Sequence, residues 1–270
     1  MSIDVSVIIV SYNSKEILAS LLDSLKPATK KYSLEVIIVN NKPSEKIDHL
    51  KKHSLVPDVS MSTNNLGFSI AVNMGLKKAS GRYILLINPD SKFVGNGLVK
   101  LMDFAQKTPN LGAVVPRLVN QNGTPQASVF KFPSITNAIK KDFFGCKNCF
   151  GKYLPSKTIQ KVDVAVMAAM LVPKSTFAQV GGLDERFFLY YEDVEFCRRL
   201  YKAGLPVYYF PDSTVKHLHG ASGGFTSHLS SPLLASSKLY YGHLYSKLLN
   251  LTLWVGHKWQ VILRGKKFKD

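Results

Sequence analysis

The sequence predicts an α/β fold built on a mostly parallel, Rossmann-like sheet flanked by helices, with a helical appendage at the C-terminus. Short apolar runs rich in β-branched residues, typical of strands buried on both faces, alternate with segments of helical periodicity. Polar clusters directly follow three of those runs. Strands separated by helices imply right-handed crossovers and a parallel sheet, in which ligands bind beyond the carboxyl ends of the strands.

The order of the elements follows from the apolar pattern. Strands are predicted at residues 5–10, 34–39, 83–87, 113–115 and 207–210, with a short one near Val59. Helices are predicted from residue 17 to the stop at Pro27, at 44–52, between 64 and a C′ stop at Gly81, at 97–106, at 192–202 and beyond 230. Asn13 and Glu16 have capping-box spacing, and Gly204 closes the helix at 192–202.

Residues 120–161 have a weaker pattern that is rich in Lys, Phe and Pro, with a turn signal at Asn122-Gly123. We interpret them as an excursion or flap rather than a separate domain. The predicted organisation is one domain over residues 1–226 and a helical basic segment over residues 227–270. Residues 164–172 return to buried character, and Gly181-Gly182-Leu183-Asp184 is a predicted turn.

The three cysteines indicate a reducing compartment. Cys146 and Cys149 form a C-x-x-C pair without a second pair that could complete a zinc site, so two reduced thiols in a loop are favoured over a metal or redox centre. Cys197 lies among apolar residues and is predicted to be in the core.

The formal net charge of +17 favours nucleic acid, an anionic membrane surface or phosphorylated ligands. Nucleic acid is disfavoured, because no helix-turn-helix, RNP-type or finger signature accompanies the charge. The N-terminal residues lack a signal-peptide pattern, and the apolar stretches are shorter than the roughly 20 residues that a membrane span needs. We therefore expect a cytoplasmic protein, either soluble or peripheral to the inner face of the cell membrane.

The C-terminal segment combines an apolar run from Leu248 with four cations at its end, Arg264, Lys266, Lys267 and Lys269. Aromatic and aliphatic residues beside a basic tail are typical of a helix that lies on an anionic leaflet. The alternative is a helix packed on the domain with a solvated basic end.

Three polar clusters occupy predicted strand ends: Ser11-Tyr12-Asn13, Asn40-Asn41 and Asn88-Pro89-Asp90. A carboxylate at the position of Asp90 faces the ligand crevice and could hold Mg²⁺ or Mn²⁺, which prefer oxygen ligands and bridge phosphate oxygens. The alternative for Asp90 is an Asx-type turn or a helix cap.

Acidic residues and histidines form two further candidate groups. Glu192 and Asp193 begin a helix after an aromatic run, where they could act as a general base beside an apolar wall or only complement the helix dipole. His217 and His219 stand two residues apart on an extended segment, so their side chains point to opposite sides. One could be a metal ligand, and the other is then structural.

In this order, the motifs resemble those of the family 2 glycosyltransferases of the GT-A fold, and the similarity extends from Val5 to about Ser222. The motifs that carry it are Val7-Ile8-Ile9-Val10-Ser11-Tyr12-Asn13, Val39-Asn40-Asn41, Asn65-Leu66-Gly67-Phe68 with Asn73 and Gly75, Leu86-Ile87-Asn88-Pro89-Asp90, Gly181-Gly182-Leu183-Asp184-Glu185, Tyr191-Glu192-Asp193-Val194-Glu195-Phe196-Cys197 with Arg199, and Val215-Lys216-His217.

The resemblance implies roles for individual residues. Asp90 would bind the Mg²⁺ or Mn²⁺ that neutralises the donor diphosphate, and His217 would complete the metal shell. Asp193 would deprotonate the acceptor hydroxyl in an inverting transfer, with support from Glu192. The residues implied in the nucleotide-sugar pocket are Ser11, Tyr12, Asn13, Asn40, Asn41, Gly67 and Asn88.

Two departures from the family pattern matter. Asn88 replaces the first Asp of the D-x-D motif, and Asn40 stands where an Asp commonly contacts the base. The Asn-Pro-Asp form, with the stretch after Tyr191, looks most like the bacterial rhamnosyltransferase branch, whose members use dTDP-β-L-rhamnose and extend lipid-linked polysaccharide precursors. Another donor, such as a UDP-hexose or a UDP-N-acetylhexosamine, is the alternative.

Other classes fit the residues less well. A sugar nucleotidyltransferase needs a Gly-rich loop with a basic residue after the first strand, where Ser11-Tyr12-Asn13-Ser14 stands instead. A binding module that lost its metal site is supported only by Asn88.

Overall fold

The computed structural model describes residues 2–218 and 231–264, which form a curled sheet with helices on both faces. The strands are β1 (Val5–Ser11), β2 (Leu34–Asn40), β3 (Asp58–Met61), β4 (Tyr83–Ile87), β5 (Ser91–Phe93), β6 (Ala113–Val119), β7 (Val129–Phe130), β8 (Gln160–Val162), β9 (Val164–Ala165), β10 (Ala169–Pro173) and β11 (Val207–His217). The helices are α1 (Lys15–Leu25), α2 (Phe68–Lys78), α3 (Gly97–Lys107), α4 (Ile135–Asp142), α5 (Lys174–Val180), α6 (Glu192–Lys202), α7 (Ser231–Tyr241) and α8 (His243–Arg264).

The main sheet has the strand order β3-β2-β1-β4-β10-β6-β11-β5, and β8 pairs with β11. The ladders that join β3, β2, β1 and β4 are parallel, as is the ladder between β6 and β11. The mostly parallel sheet is therefore confirmed. The alternation of strands and helices did not predict that β10 would insert antiparallel between β4 and β6.

Both faces of the central strands are covered, which explains their continuous apolar sequence. Val7 and Ile9 of β1 belong to the core that includes the apolar face of α1. Ile8 points to the opposite face and belongs to the core that includes Ala71 and Val72 of α2. A strand buried in this way has no solvent-exposed face, and its buried Ser6 is hydrogen-bonded to the Glu35 carboxylate and to the N–H of Gly81.

Three local predictions about helices are wrong. The residues from Ser44 form no α-helix, and only a 3-10 turn is found, at Asp48–Lys52. The capping box at the start of α1 is absent, because Asn13 has a left-handed backbone (φ 52°) and Ser14 is the N-cap residue. The backbone leaves α2 at Ala79, before the predicted stop at Gly81.

Gly81 has a packing role instead. A Cβ atom at this position would lie 2.5 Å from the backbone nitrogen of Ser6, so only glycine allows the chain to pass so close to β1. By contrast, Gly204 has a left-handed backbone (φ 71°) after the C-cap residue of α6, which confirms its predicted role as a helix stop.

Residues 120–161 form an excursion that holds β7, α4 and the start of β8. Cys146 and Cys149 are joined there by a disulfide with their Cα atoms 5.7 Å apart, so the prediction of two reduced thiols is wrong. Their spacing within a tight loop after Gly145 (φ 71°) brings the two Cα atoms into disulfide range. Cys197 is fully buried, as predicted.

The predicted C-terminal helices are confirmed as α7 and α8. One face of α8 packs on α4, where Gly256 lies against Asp142, and Leu249 is buried. The opposite face of α8 is exposed. The alternative of a C-terminal helix packed on the domain therefore describes one side of α8 only. No described helix is long and apolar enough to cross a bilayer. The proposed domain boundary at 226/227 and the cations Lys266, Lys267 and Lys269 lie outside the described residues.

Candidate active site

The ends of β1 and β2 lie side by side. Ser11 is in register with Asn40, and the backbone N–H of Asn41 donates to the carbonyl oxygen of Ser11 at 2.8 Å. The side-chain oxygens of Ser11 and Ser14 are 2.8 Å apart, and both residues are buried. Two of the three polar clusters therefore form one floor at the carboxyl edge of the sheet.

The amides of Asn40 and Asn41 hold the loops that follow. The Asn41 amide donates to the carbonyl oxygen of Gly67 at 3.1 Å and accepts from the Leu66 N–H at 3.0 Å. The Asn40 amide donates to the carbonyl oxygen of Glu45 at 2.7 Å and accepts from the Lys42 N–H at 3.1 Å. Both side chains shape the predicted donor pocket through its loops.

A cation that the sequence analysis missed lies beside this floor. The ammonium group of Lys42 donates to the side-chain oxygen of Asn13 and lies 5.9 Å from the centre of the Tyr12 ring. Lys42 has no motif of its own and is close to Tyr12 and Asn13 only because β2 ends next to β1. Its charge suits a phosphate-bearing ligand.

At Gly67 the loop before α2 touches the loop before α6. Its backbone is left-handed (φ 82°), and a Cβ atom there would lie 2.6 Å from the carbonyl oxygen of Phe188. That carbonyl accepts from the N–H of Phe68, the first residue of α2, at 2.7 Å. The loop before α6 therefore rests directly on the predicted donor pocket, which only glycine permits.

Asp90 and His217 come together through the pairing of β5 with β11. Directly after β4, the N–H of Asn88 donates to the carbonyl oxygen of Ala168, and the chain then turns through Asp90 into β5. Ser91 is in register with His217, and the Leu218 N–H donates to the Asp90 carbonyl oxygen at 3.0 Å. As a result, His217 Nε2 lies 3.4 Å from Asp90 Oδ1, and both side chains are buried.

Gln126, which the sequence analysis also missed, orients this histidine. Its Oε1 lies 2.8 Å from His217 Nδ1. Because an amide oxygen can only accept, Nδ1 donates its proton to Gln126, and this contact turns Nε2 toward Asp90. Gln126 lies in the hairpin after β6, and its N–H bonds back to the carbonyl oxygen of Leu118.

The pair has the chemistry of half a metal site. Asp90 Oδ1 is buried and makes no hydrogen bond with the part of the chain that the structure describes. A carboxylate oxygen and an imidazole nitrogen, which here face each other at 3.4 Å, are both ligand types that divalent cations accept. Within residues 2–218 and 231–264 no third His, Cys, Asp or Glu completes a cluster. Mg²⁺ is commonly held by one or two protein ligands together with substrate phosphates, so two residues suffice when the ligand brings a diphosphate.

The two carboxyl groups at the start of α6 have contrasting surroundings. Glu192 is buried, and its Oε2 has no hydrogen-bond partner among the described residues. Asp193 is partly buried, and its Oδ1 accepts from the N–H of Val194 at 2.8 Å. Burial raises the pKa of Glu192, which the charge of Asp193 raises further. Burial also raises the pKa of Asp193, and the charge of Lys152 opposes the shift in both groups.

This arrangement separates the roles of the two groups. Two neighbouring carboxyl groups in an apolar setting do not both ionise readily. The more deeply buried group, Glu192, therefore retains its proton to a higher pH than Asp193 does. Of the two groups, Asp193 is therefore the one that loses its proton more readily. Lys152 comes from the excursion at residues 120–161, far away in sequence, and no local pattern could have placed it here.

Several motif residues hold α6 and its preceding loop in place. The Arg199 guanidinium pairs with Glu195 at 2.8 Å and donates to the Gly182 carbonyl oxygen at 2.8 Å. The Asn73 amide bonds to both the N–H and the carbonyl oxygen of Leu183. These residues build the framework of the site. His219, the other candidate metal ligand, lies outside the described residues.

The comparisons with known proteins agree with this geometry. Residues 6–157 match the family model described as Glycosyl transferase family 2. The chain is 27% identical over 250 residues to the N-acetylglucosaminyl-diphospho-decaprenol L-rhamnosyltransferase of Mycobacterium tuberculosis, with 83% of this chain and 80% of that protein covered. It is 26% identical over 218 residues to the rhamnosyltransferase WbbL of Escherichia coli, with 77% and 80% covered.

A third relative is the low-salt glycan biosynthesis hexosyltransferase Agl10 of Haloferax volcanii, which is 28% identical over 209 residues. The match covers 73% of this chain and 61% of Agl10, so the chain spans less than two thirds of that relative's length.

Solved structures with the same fold include two glycosyltransferases crystallised with Mn²⁺. GalNAc-T7 with UDP, GalNAc and Mn²⁺ has a TM-score of 0.68 at 16% identity, with 89% of this chain and 48% of that chain covered. The mannosyltransferase PcManGT of Pyrobaculum calidifontis, in complex with GDP-Man and Mn²⁺, has a TM-score of 0.61 at 12% identity, with 100% and 77% covered. At these identities the likeness shows the fold alone, which is the GT-A fold.

Proposed function

The chain belongs to glycosyl transferase family 2, and on that premise we propose that it is an inverting, metal-dependent hexosyltransferase. Its donor is dTDP-L-rhamnose, and its acceptor is a lipid-linked or polysaccharide glycan of the bacterial cell surface. The observation that carries the proposal is the facing pair of Asp90 Oδ1 and His217 Nε2 at the carboxyl edge of the sheet. The rhamnosyltransferases among the relatives support the choice of donor.

In this reaction each group of the site has a task. Ser11, Tyr12, Asn13 and the loops tied down by Asn40 and Asn41 bind the nucleoside, while Gly67 and Asn88 line the donor pocket. Asp90 and His217 would hold Mg²⁺ or Mn²⁺, which neutralises charge on the departing diphosphate when bound. Lys42 would add a further positive charge beside the pocket.

The proton transfer falls to the carboxyl pair. Asp193 accepts the proton of the acceptor hydroxyl as that oxygen bonds to the anomeric carbon and the bond to the nucleoside diphosphate breaks on the opposite face. Glu192, whose raised pKa keeps it protonated, leaves the negative charge on Asp193. A single displacement of this kind inverts the anomeric configuration.

A panel of nucleotide sugars tests the proposal directly. We expect turnover of dTDP-L-rhamnose that requires Mn²⁺ or Mg²⁺ and is lost in EDTA, measured by mass spectrometry of the released nucleotide. Preference for a UDP-hexose or a UDP-N-acetylhexosamine would replace the donor and keep the enzyme class. No turnover of any donor, with nucleotide binding intact, would indicate a binding module.

Asp193→Asn keeps the shape of the side chain and removes its basicity. Because a positioned base typically contributes about 10²–10⁴-fold, we expect kcat to fall by at least about a hundredfold with little change in donor affinity. Asp212→Asn, at an exposed carboxylate of β11, is the matched control and should leave kcat unchanged. Retention of the anomeric configuration in the product would contradict the mechanism.

We also propose that the C-terminal segment holds the enzyme at an anionic membrane surface, where a lipid-linked acceptor would be found. The exposed apolar residues of α8 recur at helical spacing on one face: Leu244, Leu248, Leu251, Val255, Trp259 and Ile262. Phe144, after α4, is 80% exposed. Between Ser213 and Lys269 the sequence contains lysines and one arginine but no aspartate or glutamate. This excess of positive charge suits an anionic leaflet.

Vesicle binding measures this association. Deleting the residues after Leu263 removes four cations, so binding to vesicles that contain anionic lipid should weaken, and high salt should have the same effect on the intact chain. Leu251→Ser should weaken the vesicle binding that persists at high salt, whereas Val56→Ser, at an exposed apolar residue elsewhere, should leave that binding unchanged. Equal binding to neutral and anionic vesicles would contradict the electrostatic part.

A further inference from the structure

The two residues before α6 have a backbone conformation that side chains disfavour. Tyr190 (φ 70°) and Tyr191 (φ 67°) are both left-handed, the one place in the described chain where two successive non-glycine residues are. Each has a Cβ atom that clashes in this region, so the conformation persists only where surrounding contacts impose it. The next two residues are Glu192 and Asp193, and Tyr191 is the N-cap residue of α6.

The contacts that impose it come from α7. The buried hydroxyl of Ser236 donates to the carbonyl oxygen of Leu189 at 2.9 Å, on one side of the strained pair. On the other side, the Tyr191 ring lies 5.4 Å from the ring of Tyr240 and 5.8 Å, edge to face, from that of Tyr241. The Tyr191 phenol also interacts with the side chains of Ser237 and Tyr241.

The rings of α7 are themselves anchored to two other elements. Arg198 of α6 donates to the phenol oxygen of Tyr240 at 2.9 Å, and its guanidinium lies over the Tyr240 ring. The phenol of Tyr241 donates to the carbonyl oxygen of Pro133 at 2.6 Å. Tyr191 is thus held against a ring cluster that cannot shift without moving α6 or the excursion.

We propose that Tyr191 is a positioning residue for the carboxyl pair, and that α7 exerts this control through it. The left-handed turn sets the direction in which α6 begins, and with it the direction of the Asp193 carboxylate. Without the ring contacts, the backbone would relax toward a right-handed or extended conformation, and the carboxyl pair would move with it. This inference rests on the proposed role of Asp193 as the base.

A glycine substitution at Tyr191 distinguishes a role in positioning the carboxyl pair from a role in stability alone. Tyr191→Gly permits φ > 0 at no steric cost but removes the ring that α7 holds. We expect kcat to fall by about tenfold or more, with the donor KM unchanged, because a small misplacement of a catalytic group slows the chemical step without affecting donor binding. Tyr191→Phe keeps the ring and should restore kcat to within about threefold of the wild type.

A second variant tests the same contact from the side of α7. Tyr240→Ala should lower kcat as Tyr191→Gly does, and the double variant should be no slower than the slower single variant, because both remove one contact. Tyr201→Ala, at an exposed tyrosine near the other end of α6, is the control. If Tyr191→Gly is poorly folded, as judged by its melting temperature and nucleotide binding, Tyr240→Ala with Tyr240→Phe as the rescue gives the same comparison.

The outcomes are distinct. Wild-type kcat in folded Tyr191→Gly and Tyr240→Ala, with only a lower melting temperature, would overturn the inference and leave the proposed function intact. Unchanged kcat in Asp193→Asn would instead overturn the proposed function. A large fall in Asp193→Asn together with smaller, non-additive falls in the two tyrosine variants is the result that we expect.

Discussion

The antiparallel pairing of β5 with β11 is the contact on which the candidate site depends. It places Ser91 opposite His217, so the turn that carries Asp90 faces the end of a strand more than 120 residues later in the chain. Asp90 Oδ1 is buried and accepts no hydrogen bond from the described residues, and leaving a buried acceptor unsatisfied typically costs about 1–3 kcal/mol, or more for a charged group. His217 Nε2 lies 3.4 Å from this oxygen, so two atoms of the kinds that bind divalent cations face each other here.

The remainder of the site lies in loops at the carboxyl edge of the sheet, and other side chains hold these loops in place by hydrogen bonds. Asn40 fixes the loop after β2, and Asn41 fixes the loop between β3 and α2. The backbone of Phe188 packs on Gly67, so the loop before α6 is in direct contact with the predicted donor pocket. Burial raises the pKa of both Glu192 and Asp193, and the charge of Asp193 raises that of Glu192 further. In the proposed function, the cation, the nucleotide and the proton acceptor would each belong to a different element of one framework.

The sequence predicted the parts of this framework that depend on local patterns. Buried strands such as β1 and β2 can be predicted because both of their faces must be apolar. Helix α6 can be predicted because acidic residues stand in its first turn and Gly204 follows its last turn. Two of the failed predictions are cases in which a tertiary contact overrides a local signal. Asn13 bonds to Lys42 instead of capping α1, and Gly81 packs on Ser6 instead of ending α2. Gln126 and Lys152 belong to an excursion with no periodic pattern, so only the fold reveals their relation to His217 and to the carboxyl pair.

Locating the metal is the most direct test of the site formed by Asp90 and His217. A crystal of the protein grown with dTDP and Mn²⁺, with diffraction collected at the manganese absorption edge, would show the ion as an anomalous peak. We predict a peak about 2.0–2.6 Å from both Asp90 Oδ1 and His217 Nε2, with diphosphate oxygens completing the shell. Bound nucleotide with no manganese between these two atoms, or a peak at another set of ligands, would contradict the central claim.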